Sequence, residues 1–175
     1  MTRWRTSCHE AGHLVAAAVM LKDTTGVAVV LASGGLAFID TPDPLRTFNE
    51  ALAVAAGPAA EALADVHPAP ETEPTPAPLV QADAPPQQSA HASFTADLRA
   101  GQPDAIRLAR WCCESCPDSP DRWVRRHAWI HREAGFFIRD HAQEIVSVAT
   151  RLYVRGVFTL RRQEPGQPNG EASND

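Results

Sequence analysis

Ser7-Cys8-His9-Glu10-Ala11-Gly12-His13-Leu14-Val15-Ala16-Ala17-Ala18-Val19-Met20-Leu21 decides how this chain is read. After the second histidine the residues are apolar and mostly good helix formers, so the stretch from about Thr6 to Leu21 is expected to be one helix. Ser7 followed three residues later by Glu10 is the pattern of a capping box. On such a helix His9 and His13 lie one turn apart on one face. Two imidazoles so placed can grip a single Zn²⁺, and Glu10 between them can serve as a base toward a water on that metal. A buried amphipathic helix whose His and Glu make ordinary hydrogen bonds would carry the same residues. Gly12 costs about 1 kcal/mol relative to Ala in a helix, which close packing against a neighbour would explain.

Outward from this helix, Gly26 to Leu31 reads as a strand, Ser33-Gly34-Gly35 as a turn and Leu36 to Asp40 as a returning strand. Pro42 and Pro44 follow it, which marks a sheet edge. Leu45 to Val66 is Ala-rich and helical in pattern, with a break expected at Gly57-Pro58. His67 to Ala92 is dense in Pro, Ala, Gln and Glu and holds too little apolar surface to offset its ordering entropy. Three helices are expected after it: Pro103–Cys116, Asp121–Glu133 and Phe136–Arg155, the last closed by Gly156. The expected organisation is one α+β domain, mostly helical with one small β-sheet. Residues 1–66 supply its N-terminal part, 67–92 a flexible Pro-rich insertion, 93–162 its C-terminal helical part and 163–175 a polar tail.

Composition narrows the partners. Of 175 residues 44% are hydrophobic, enough for a real core. The net charge is -5 and no basic run appears, which argues against nucleic acid. No stretch reaches the roughly 20 apolar residues of a membrane span, and no signal peptide is evident, so a cytoplasmic protein is expected. Lys22 is the only lysine beside many Arg, Ala and Pro, which reads as the coding bias of a GC-rich bacterial genome. Cys112, Cys113 and Cys116 share one expected helix, with Cys8 apart, and are read as inert thiols. His127 and His131 repeat the i,i+4 spacing without an adjacent glutamate, and Glu133 is off their facing row, so a second metal site is not expected there. Trp111, Trp123 and Trp129 are read as core or rim aromatics.

The run His9-Glu10-Ala11-Gly12-His13-Leu14-Val15-Ala16 resembles the peptidase domain of FtsH-type zinc metalloproteases. Gly57-Pro58-Ala59-Ala60-Glu61 resembles that family's next landmark. Asp97-Leu98, Leu108-Ala109-Arg110 and the helix from His141-Ala142-Gln143-Glu144-Ile145-Val146 to Gly156 resemble the later ones. The resemblance covers about residues 7–160. It implies a zincin-like fold, a Zn²⁺ cofactor, a polypeptide substrate and hydrolysis of peptide bonds by a zinc-activated water with Glu10 as general base. The chain holds no Walker-A segment, so an ATP-independent, stand-alone relative is expected.

The resemblance implies metal ligands at His9, His13 and Asp97. Residue chemistry alone leaves Glu61 and Asp104 open as third ligand, with Glu61 read rather as the partner that orients a histidine. Asp104 is the ordinary carboxylate of a helix first turn. A non-catalytic zinc-binding or interaction module on the same fold is the alternative. An unfolded substrate is expected to add to the sheet edge at Leu36–Asp40.

Overall fold

The computed structural model describes residues 2–23, 25–31, 34–71 and 103–160. The Pro-rich segment from residue 72 onward, Asp97 and the tail lie outside them. Among the described residues the chain is mostly helical, with one three-stranded antiparallel sheet.

Helix α1 spans Arg3–Ala16 and starts three residues earlier than the sequence predicts. Its cap is Thr2, whose hydroxyl accepts from the Arg5 amide. Ser7 lies inside the helix and its hydroxyl donates back to the Arg3 carbonyl, so the expected Ser7–Glu10 capping box does not form. The apolar continuation Ala17–Leu21 widens into a π-helical turn and stops at Lys22, whose φ is 59°. Asp23 then pins the exit: its carboxylate accepts from the Thr25 amide and hydroxyl and from the Asp40 amide. Burial alone would raise its pKa, but these donors hold the carboxyl below its usual range.

Strand β1 (Val27–Leu31) pairs with β2 (Gly34–Phe38) on one side and with β3 (Val157–Thr159) on the other. The order is β2-β1-β3, so β2 is an edge, as the following prolines suggest. It begins at the glycines, two residues before the expected strand. The inner face of β1, Ala28 and Val30, is fully buried against α1. β3 is too short to show alternation in sequence. It is set by Gly156, whose φ of 76° caps the preceding helix and turns the chain back onto β1.

Helix α2 (Phe48–Ala60) opens with a full capping box between Thr47 and Glu50. It runs through Gly57-Pro58 and breaks only after Ala60, before the short α3 (Leu63–Val66). Pro58 cannot donate to the Val54 carbonyl, and the helix ends two residues beyond it. Helix α4 spans Pro103–Ser115. Helix α5 (Pro120–Asp140) is continuous across Gly135, where two helices are predicted. Its buried stripe Ile130, Ala134, Phe137, Ile138 keeps helical spacing through the glycine, and that burial outweighs the glycine's intrinsic cost. The true break is at His141, before α6 (Ala142–Arg155).

The core centres on α1. Leu14, Cys8 and Ala11 are fully buried, and α2 meets α1 with Ala53, Ala56 and Ala60. These small residues let α1 and α2 approach closely. A Cβ on Gly12 would lie 2.6 Å from the Ala56 carbonyl oxygen and 2.7 Å from the Ala60 Cβ, which accounts for the glycine. Trp111 and Leu108 of α4, Ile130 of α5 and Ile145 and Leu152 of α6 complete the core. Trp123 is half-buried, its indole nitrogen donating to the Ala109 carbonyl, and Trp129 stacks on Phe48. No helix among the described residues is long and apolar enough to cross a membrane.

Candidate metal centre

Close packing of α1 on α2 fixes both histidine rings. The Nδ1–H of His13 donates to the Ala53 carbonyl at 2.9 Å. The Nδ1–H of His9 donates to Glu61 Oε1, also at 2.9 Å. Ala53, Gly57 and Glu61 recur every fourth residue, so one face of the α2 axis and its end meets the His9–His13 face of α1. Between the two acceptors sits Gly57, where any Cβ would run into the His13 ring. Arg5, one turn before His9, reaches Glu61 Oε2 at 3.9 Å and pairs with Asp65.

A carbonyl oxygen only accepts, so its hydrogen bond places a proton on His13 Nδ1. When both rings are neutral, their Nε2 lone pairs point inward. These two nitrogens are 3.1 Å apart. The first turn of α4 brings in Asp104, whose Oδ2 is 3.3 Å from His9 Nε2 and 3.2 Å from His13 Nε2. Two imidazole nitrogens and a carboxylate oxygen thus converge on one point, a group that could hold a metal ion when both rings are neutral. A tetrahedral Zn²⁺ with bonds of about 2.0–2.1 Å has ligand–ligand edges of about 3.3–3.4 Å. The triangle of His9, His13 and Asp104 matches one face of that tetrahedron.

The electrostatics follow from the same contacts. Burial alone would lower the pKa of His13, but the charge and hydrogen bond of Asp104, with Glu10 adding, push it up to about 9. Burial alone would raise Asp104, but His13 and His9 hold its carboxyl far below the usual range. Glu10 is buried (5% exposed), and that burial raises its pKa against the pull of His13 and His9. The edge strand covers it: a Cβ on Gly35 would lie 2.5 Å from Glu10 Oε1.

The structure brings half-buried His9 and buried His13 together, with Glu10 buried on the same helix and Glu61 hydrogen-bonded to His9. Asp97 lies outside the described residues. Among the described residues the carboxylate that meets both imidazoles is Asp104, a residue whose place in a helix first turn explains it without any ligand role. No local signal separates the two aspartates. His127 and His131 also converge, Nε2 to Nε2 at 3.3 Å, but on an exposed face. Among the described residues no third His, Cys, Asp or Glu completes a metal set with them.

A Gly57→Ala substitution is expected to destabilise the fold by about 1–3 kcal/mol, because the methyl overlaps His13. Gly135→Ala, where a Cβ meets nothing within 4 Å, is the control and is expected to stabilise by up to about 1 kcal/mol. Thermal melting of the two variants checks the contrast. Comparison with family models, curated proteins and solved structures gives no match for this chain.

Proposed function

We propose that this protein is a zinc-dependent peptidase of zincin-like type, with His9, His13 and Asp104 holding the metal and Glu10 as general base. The observation that carries this reading is the triangle of donors with edges of 3.1–3.3 Å, built from two oriented imidazoles and one carboxylate. Three protein ligands are the number that catalytic zinc sites use, since they leave a position for water or substrate. A Zn²⁺ bound there polarises a peptide carbonyl and makes water acidic enough to attack at neutral pH.

The chain's own residues supply the rest. Glu10 takes the proton from the attacking water and returns it to the leaving amine. Its burial raises its proton affinity, which suits a group that must first accept a proton and then give it up. Glu61 and the Ala53 carbonyl hold the two Nδ1–H groups and so keep both Nε2 atoms turned inward. Strand β2 pairs with β1 along one side, and its other edge offers main-chain groups to an extended polypeptide. Gly35 on this strand lies against Glu10, so a segment added there runs beside the base. Main-chain recognition gives little sequence selectivity, which fits unfolded polypeptide as substrate.

The test is metal analysis of the purified protein together with hydrolysis of casein. One Zn²⁺ per chain and slow cleavage stopped by a chelator are expected. Zinc without cleavage of any unfolded or peptide substrate would replace the enzyme with a non-catalytic zinc module. Absence of zinc affinity would overturn both.

A further inference from the structure

The end of α4 carries chemistry that the metal centre does not use. Cys113 is exposed, Cys116 is half-buried, and the Cys116 amide donates to the Cys113 carbonyl at 3.2 Å. Such an i→i+3 turn holds the two Cα atoms within about 7 Å, overlapping the roughly 4.4–6.8 Å that a disulfide spans. Pro117 and Pro120 fix the turn on its far side. Beside the two sulfurs lies an open hollow of about 470 Å³, lined by Cys113, Glu114, Cys116, Pro117, Pro120 and Trp123. Cys112 differs from its neighbours: it is fully buried, and burial pushes its thiol up to about 11, so it stays neutral. Cys8 is likewise buried and pushed up to about 12.

We propose that Cys113 and Cys116 are a dithiol that closes to an intramolecular disulfide by exchange with a small disulfide docked in this hollow. The Cys113 thiolate attacks one sulfur of the incoming disulfide and expels the first small thiolate, which takes up a proton. The Cys116 thiolate then attacks the Cys113 sulfur and expels the second. Two cysteines are oxidised and one small disulfide is reduced to two thiols. The order follows from exposure, since Cys113 faces solvent and Cys116 sits one turn behind it. The pair lies at the C-terminal end of α4. Asp104 is at the other end of α4, and the thiol chemistry is independent of the metal.

The experiment treats the full-length protein with oxidised glutathione and follows it by mass spectrometry after alkylation under non-reducing conditions. The wild type is expected to lose two alkylatable thiols, carry no lasting glutathione and remain free of intermolecular bonds. The closing rate is expected to saturate with glutathione disulfide. Cys116→Ser is expected to hold a stable glutathione adduct on Cys113, and Cys113→Ser to form none. A lasting adduct on the wild type, a bond that includes Cys112, or unreacted thiols would overturn the pair. A rate that rises linearly without saturation would overturn docking in the hollow.

Discussion

Glu10→Gln is expected to lower peptide hydrolysis by about 10²–10⁴-fold, the usual contribution of a general base, while zinc content and fold are kept. Glutamine has the shape of glutamate and fits beneath Gly35. It cannot accept the water's proton, so it separates chemistry from structure. The melting temperature is not expected to fall. Burial raises the Glu10 pKa, so at neutral pH the folded state disfavours its charged form, and a neutral amide removes that penalty. Casein hydrolysis and metal analysis on the same preparations provide the check. Undiminished activity in Glu10→Gln would place the base elsewhere or reveal a contaminating protease. Loss of zinc along with activity would make Glu10 part of the metal's support rather than its base.

The helix that carries His9 and His13 was legible because two kinds of signal coincide on it. The spacing of His9 and His13 fixes a shared face, and the apolar run behind them fixes burial. The edge strand was legible from the prolines after it, while Gly34-Gly35, read as a turn, open the strand itself. Element ends were less so. Thr2 competes with Ser7 as the cap of α1, and Thr2 wins because Trp4, buried at 6% exposure, needs the first turn to be helical. Gly135 looks like a stop, yet the buried face of α5 continues through it. β3 spans three residues and owes its place to pairing with β1, a long-range contact that local pattern does not encode. The third donor is the same kind of case. Asp104 reaches the two imidazoles only when the first turn of α4 comes beside α1, and nothing within α4 marks the event.

Asp104 is therefore where the sequence and the structure lead to different experiments. Asp104→Ala is expected to weaken zinc binding by more than the roughly 10–100-fold that loss of an orienting partner costs, and Glu61→Ala by about that smaller factor. Asp97→Ala bound as weakly as this, with Asp104→Ala unchanged, would move the third ligand to Asp97. Proton release gives a second, independent readout. In the metal-free protein Asp104 raises His13 to about 9 from 6.5, so at neutral pH the ring carries a proton that zinc must displace. Zinc affinity should then climb with pH up to about 9 and level off above it. Calorimetry in buffers of different ionisation enthalpy measures the proton released, and Asp104→Ala should reduce it, because the carboxylate that holds that proton is gone. The stability of the metal-free protein carries the same signature. His13 has a raised pKa, so its contribution is full below about 6.5 and is lost as pH rises through about 9. Asp104 has a lowered one, so its contribution is full above 3.8 and is lost on further acidification. The pair stabilises most between those limits, and Asp104→Ala should remove the falls in melting temperature on either side of that window while bringing zinc affinity down. A flat profile in the wild type would mean that the two side chains do not meet in solution, and the donor triangle would lose its third corner.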